Sequence, residues 1–260
     1  MRLEGTTVLV TGAGSGLGAA TAVEMAGAGA RLVLLDRDGD AAAAVLGRCG
    51  SAAGSTSLAA DVTSEGDVAA AVDAATAAGG APLRAVVHCA GVATAGRLLG
   101  RRGPLPLDEA RRVLDVNVVG TLNVLRLAAE AMAGSEPAAP DGEERGVVVL
   151  TASVAAYDGQ VGQPVYAASK AAVAGLVLPA ARELAAHRVR VVGIAPGVFA
   201  TPMVAALPEE ATRALGAGVP HPARLGRPEE YAALARHLVE NPYLNGEVVR
   251  LDGSLRMPPA

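Results

Sequence analysis

Tyr166 and Lys170 stand four residues apart, a spacing that puts both side chains on one face of a helix. An ammonium beside a phenol favours the phenolate and lowers a pKa that starts near ~10. The pair therefore predicts a tyrosine able to move protons near neutral pH. Ser153, upstream of the pair, offers a hydroxyl to the same place. Nearer the N-terminus, Thr11-Gly-Ala-Gly-Ser-Gly-Leu-Gly18 spaces Gly12, Gly16 and Gly18 as G-x-x-x-G-x-G. Residues without side chains allow a tight turn and let a pyrophosphate approach the N-terminus of the following helix, where free N–H groups and the dipole favour an anion. The stretch also reads as G-x-G-x-x-A through Gly14, Gly16 and Ala19, with the phosphate in the same place. Together these residues predict hydride transfer at a carbinol or carbonyl carbon.

Such chemistry needs a frame. Thr6–Val10, Arg31–Leu35, Ser57–Ala60, Ala85–His88, Val147–Leu150, Arg190–Ile194 and Glu247–Leu251 are short apolar runs between turn residues and read as buried strands. Helices are expected from the glycine turn to about Ala28, over Gly39–Arg48, and from a Ser64 cap to about Ala78. Others are expected over Leu107–Met132, from Tyr166 to about His187 despite Pro179, and over Pro228–Leu238. Val92–Pro106 and Gly134–Glu144 read as loops, and Phe199–Pro222 as a mobile flap with short helical turns. The alternation predicts an α/β protein, a Rossmann-type doubly wound parallel sheet of about seven strands with helices on both faces. Residues 1–260 are expected to form one domain.

Ligands bind such sheets at the carboxyl ends of the strands. Those ends carry the glycine turn, Asp36, Asp61-Val62, Ala90-Gly91, Ser153 and Pro196-Gly197. Asp36 sits where an acid accepts hydrogen bonds from the adenosine ribose, which favours NAD over NADP because a carboxylate repels a 2′-phosphate. Arg37 beside it leaves NADP open. Asp61 is either an adenine contact or a local helix cap.

Hydrophobic residues make up 51% of the chain and aromatics only 2%, so Ala, Val and Leu must fill the core. The 22 basic and 26 acidic residues form no basic block, which argues against nucleic-acid and membrane partners. Cys49 and Cys89 lack metal-type spacing, and the histidines form no H-x-x-x-H pair, so no metal site is expected and a reducing compartment is. The start of the chain leaves no room for a signal segment, and glycines and charges are read as interrupting every apolar run before membrane-spanning length. The expectation is a soluble, cytoplasmic protein. The 107–132 and 166–187 helices are apolar on more than one face, which predicts a homo-oligomer packed through them. The tail Leu255–Pro259 is a further candidate interface segment.

In order, and over nearly the whole chain, Thr11-Gly-x-x-x-Gly-x-Gly18, Asp61, Ala90-Gly91, Asn117, Ser153, Tyr166-x-x-x-Lys170 and Pro196-Gly197 resemble the short-chain dehydrogenase/reductase family. The resemblance implies that Tyr166 is the general acid/base and that Lys170 lowers its pKa and holds the nicotinamide ribose. It implies that Ser153 bonds the substrate oxygen and that Asn117 positions a water relaying protons to Lys170. It implies cofactor contacts at Gly12, Ser15, Gly16, Leu17, Gly18, Asp36, Asp61, Val62, Cys89, Ala90, Gly91, Pro196, Gly197, Phe199 and Thr201. Cys89 departs from the Asn that many members carry before Ala-Gly, which removes one side-chain prop from the sheet centre.

Thr151–Tyr157, Gly159–Gln163, Ala195–Pro202 and Glu240–Gly253 resemble the type II 3-hydroxyacyl-CoA dehydrogenase branch, whose members are NAD-dependent tetramers. That likeness implies NAD as cofactor, an acyl-CoA substrate lined by Gln163, and a flap over 199–222. Arg97, Arg101 and Arg102 either meet CoA phosphates or are solvated loop charges. Alternatives are a reductase of 3-oxoacyl thioesters on carrier protein or of a steroid or other ketone, and a non-catalytic NAD-binding scaffold.

Overall fold

The computed structural model describes residues 1–50, 53–77, 80–101, 103–138, 142–206 and 208–259. In chain order the elements are β1 (Thr7–Thr11), α1 (Gly16–Gly27), β2 (Arg31–Asp36), α2 (Gly39–Arg48), β3 (Thr56–Ala59), α3 (Glu65–Thr76) and β4 (Leu83–His88). There follow β5 (Leu99–Gly100), β6 (Gly103–Pro104), α4 (Leu107–Leu114), α5 (Gly120–Ala133), β7 (Gly146–Thr151), α6 (Pro164–Leu184) and β8 (Val189–Pro196). The last are α7 (Pro202–Ala205), α8 (Glu209–Ala217), α9 (Pro228–Glu240) and β9 (Val248–Leu251).

Among the described residues the main sheet has seven strands in the order β3-β2-β1-β4-β7-β8-β9, and each of its pairs is parallel. A parallel sheet is covered on both faces, and its central strands are accordingly apolar at successive positions: Val147 to Leu150 are all fully buried. Side chains alternate across the sheet, so Leu9, Val86, Val148 and Leu150 join one core with residues of α3, α5 and α6. Val8, Val10, Val87 and Val149 join the other with residues of α1 and α9. The chain reverses its direction of winding between β1 and β4, which opens a crevice at the carboxyl edge.

Local chemistry fixes several helix starts. Asp38 caps α2 by accepting from the Ala41 N–H at 2.9 Å, and Ser64 caps α3 by accepting from the Asp67 N–H at 3.3 Å. Three sequence expectations need correction. The predicted helix 107–132 is interrupted by a π-helical turn, Asp115–Val119, centred on Asn117; apolar periodicity does not reveal one inserted residue. Within the predicted loop Val92–Pro106, β5 and β6 pair antiparallel. Finally, the helical run Pro164–His187 covers 24 residues at mean hydropathy 1.3, long and apolar enough to cross a membrane. Gly175 continues the helix and Lys170 is buried, so neither interrupts the run. Its inner face packs on β8, and only 33% of its most apolar stretch is buried.

Candidate active site

The glycine turn is dictated by contacts as well as conformation. Gly12 and Gly16 have φ of 64° and 52°, a region that other residues avoid. A Cβ on Gly12 would lie 2.7 Å from the Ala90 nitrogen, so β1 and β4 meet at this turn; one on Gly18 would run into the Gly12 carbonyl. Asp36, ending β2, accepts from the Gly14 N–H at 2.9 Å and from the Asp38 N–H at 3.0 Å. Its carboxylate is thus held against the turn. Asp61 is engaged locally: its carboxylate accepts from the Thr63 N–H and hydroxyl, which hold it below its ordinary value. Asn123, which sequence reasoning did not single out, donates to the Val62 and Ser64 carbonyls and so positions that loop.

The centre of the edge is propped by side chains that the sequence left unremarked. Thr11 pairs with His88 Nδ1 at 2.8 Å. Thr151 donates to the His88 carbonyl at 2.6 Å and meets the Tyr231 hydroxyl at 2.7 Å. Cys89 Sγ lies 3.7 Å from that same hydroxyl. These contacts tie β1, β4, β7 and α9 together at the carboxyl edge. Burial, aided by the Lys170 charge, pushes His88 down to about 3. A base whose folded pKa is depressed binds fewer protons than in the unfolded chain, so stability falls as pH drops from about 6.5 towards 3. Between pH 7 and pH 5 this group should cost about 2 kcal/mol. Urea unfolding should show that loss, and His88→Asn should reduce it.

Tyr166 and Lys170 project from α6 into one cleft with Ser153, which follows β7. Ser153 caps a short 3₁₀ turn by accepting from the Ala155 N–H at 3.1 Å, and its hydroxyl stands close enough to that of Tyr166 to favour the phenolate. Burial pushes the Tyr166 phenol up, with the Ser153 bond opposing. This corrects the expectation of a lowered phenol: the Lys170 ammonium is directed to the Thr151 carbonyl at 2.8 Å instead. Burial holds Lys170 itself down at about 8. A Cβ on Gly91 would stand 3.3 Å from both Lys170 Nζ and Asn117 Oδ1, so this glycine keeps the space between them open.

Asn117 is fully buried and lies behind the cleft wall rather than on it. Its amide exchanges bonds with the backbone of Val92 at 2.8 and 2.9 Å and donates to Ser169 at 3.0 Å. The side chain therefore locks the strand-four loop to α6.

The cleft has a volume of about 1460 Å³. Every other predicted site residue borders it: Gly12, Ser15, Gly16, Leu17, Gly18, Asp36, Asp61, Val62, Cys89, Ala90, Gly91, Pro196, Gly197 and Thr201 on the cofactor side, and Gln163 with Ser153 and Tyr166 on the other. Phe199 also borders it, although its ring is buried edge-on to Tyr231 with centroids 6.4 Å apart. From the flap, Met203, Val204 and Leu215 add apolar surface. Arg97 and Arg101 are exposed and off the cleft wall, whereas Arg102 lies outside the described residues. Among the described residues no cluster of three His, Cys, Asp or Glu side chains is arranged for a metal.

A doubly wound sheet whose switch point holds a glycine cradle, a strand-end carboxylate and a Tyr–Lys–Ser group defines an oxidoreductase using a nicotinamide dinucleotide. The cradle that a Cβ would fill, and the Asp36 carboxylate beside it, fit NAD(H). A family model described as short chain dehydrogenase matches residues 6–212, and the chain belongs to that family. The 3-hydroxyacyl-CoA dehydrogenase type-2 of Bos taurus is 46% identical over 263 residues, spanning 99% of this chain and 97% of its own. The crystal structure of 3-hydroxyacyl-CoA dehydrogenase type-2 from Mycobacterium avium is similar at a TM-score of 0.93 and 39% identity, covering 100% of this chain and 99% of that one. A 7α-hydroxysteroid dehydrogenase complexed with NADH and 7-oxo glycochenodeoxycholic acid is similar at a TM-score of 0.86 and 28% identity, covering 98% and 96%.

Proposed function

We propose that this enzyme interconverts 3-hydroxyacyl-CoA and 3-oxoacyl-CoA with NAD(H). The observation that carries the reading is the opening of Ser153, Tyr166 and Lys170 into the same cleft as Asp36 and the glycine cradle. The thioester class is supported by the names of the Bos taurus and Mycobacterium avium relatives, and by the apolar flap residues that border the same cleft as Gln163.

When bound, NAD supplies the acceptor for the carbinol hydride. The protein's part is proton handling and orientation. Tyr166 takes the proton of the substrate hydroxyl in oxidation and returns it to the oxygen in reduction. Ser153 donates to that oxygen as negative charge gathers on it. Lys170, held by the Thr151 carbonyl, places a cation beside the site and would hold the nicotinamide ribose. Asn117 acts through the loop it fixes, keeping Gly91 and Lys170 in register, and its π-turn is suited to hold a relaying water.

We further propose a homo-oligomer, a tetramer as in the branch it resembles, packed through α4, α5 and α6. Leu114, Val119, Leu122 and Leu178 support that reading, each at least 40% exposed on those helices or the turn between them. The free thiols of Cys49 and Cys89 suit a reducing, cytoplasmic compartment.

Steady-state kcat/KM should be measured for acetoacetyl-CoA, a longer 3-oxoacyl-CoA and a 3-oxosteroid, each with NADH and NADPH. Turnover of both thioesters with NADH in preference to NADPH is expected. Turnover confined to the steroid would contradict the thioester reading.

A further inference from the structure

The C-terminal tail is built into the substrate side of the cleft. Arg250, in β9, is the hub: its guanidinium bonds Asp158 at 2.5 Å and Asp252 at 2.7 Å, and lies 5.4 Å from the centre of the Tyr157 ring. It also donates to the Leu255 carbonyl at 3.0 Å. Arg250, with Arg256 and the Met257 backbone N–H adding, holds the Asp158 carboxyl below its ordinary value. Beyond that, the Gln160 side chain donates to the Pro258 carbonyl at 3.0 Å, and the Val161 N–H to the Pro259 carbonyl at 2.9 Å. Leu255 is buried beneath. The tail is therefore clamped along the 158–163 loop that carries Gln160 and Gln163, and both of those side chains border the cleft.

Between these clamps Met257 is half-buried and borders the cleft. An unbranched thioether fills irregular apolar space and adapts to ligands of different shape. Nothing in the Ser153, Tyr166 and Lys170 chemistry uses it.

We propose that Met257 is a specificity-determining residue, the wall against which the acyl chain of the substrate packs beyond its reacting carbon. The assignment rests on the thioester reading above. A wall of this kind acts on long chains and not on short ones, because a four-carbon acyl group ends near Ser153 and Tyr166. Removing a contact of one or more methylenes from an apolar pocket is worth about tenfold in discrimination.

The experiment compares kcat/KM for 3-oxodecanoyl-CoA with that for acetoacetyl-CoA, using NADH, in the full-length protein and in M257A, M257L and D158N. M257A should lower the long-to-short ratio about tenfold, mainly through KM, and M257L should restore most of it. D158N loosens the tail while retaining the thioether, and should move the ratio in the same direction. An unchanged ratio in M257A, whether both substrates lose activity equally or neither does, overturns the assignment while leaving the thioester reading in place. If the unaltered protein turns over neither thioester, the reading itself falls and the Met257 assignment falls with it.

Discussion

Tyr166→Phe is expected to lower kcat by about 10²–10⁴ in both directions while the dissociation constant for NADH changes little. The substitution removes one oxygen and leaves the ring in place on α6. Lys170 keeps its bond to the Thr151 carbonyl, and Ser153 keeps its bond from the Ala155 N–H. What disappears is the atom that the proposed mechanism uses to exchange a proton with the substrate oxygen. The direction of the phenol's shift adds a pH signature. Burial keeps the hydroxyl protonated at neutral pH, which suits proton donation in reduction. Oxidation needs the phenolate, so its rate should climb with pH while the reduction rate falls. Initial rates over a pH series, with NADH binding followed by fluorescence, check both points.

Asp36→Ala should reverse the coenzyme preference. The carboxylate is held by the Gly14 and Asp38 N–H groups beside the cleft. Hydrogen bonds to a charged group contribute about 1.5–3 kcal/mol, so kcat/KM for NADH should fall roughly ten- to a hundredfold. For NADPH it should rise, since repulsion of the 2′-phosphate is removed and Arg37, which also borders the cleft, becomes available to pair with it. The change in the NADH-to-NADPH ratio of kcat/KM is the readout, and an unchanged ratio would contradict the ribose assignment.

The frame and most of the site could be read from residue order because each strand end announces itself locally. Thr11 to Gly18 has glycines where φ is positive or a Cβ has no room, and Asp36 closes a strand that is apolar from Leu32 to Leu35. The Tyr166 and Lys170 spacing needs only helix geometry. Other features depend on atoms far apart in sequence. Asn117 interrupts an apolar run, but its partners Val92 and Ser169 come from a loop and another helix, and the π-turn around it leaves no mark in the periodicity. The direction of the Tyr166 shift is hidden for the same reason: spacing places Lys170 on the correct face, whereas only the packed structure shows it bonded to Thr151. Tyr231 and His88 looked like ordinary helix and strand residues. A buried tyrosine must find a partner for its hydroxyl, a signal that could have pointed from Tyr231 to Thr151. The tail carrying Met257 follows the last strand, and its place along the 158–163 loop is set by Arg250 and Asp158, residues separated by most of the C-terminal third.

The proposed reaction requires one cleft to unite NADH, a 3-oxoacyl thioester and Tyr166. The most direct measurement is the initial rate of NADH oxidation by acetoacetyl-CoA in the unaltered protein and in Tyr166→Phe, with NADH binding measured in both. The account predicts rapid turnover in the first, a loss of about 10²–10⁴ in the second, and closely similar NADH affinity. Undiminished turnover in Tyr166→Phe, or NADH binding without any reduction of the thioester by the unaltered protein, would contradict it.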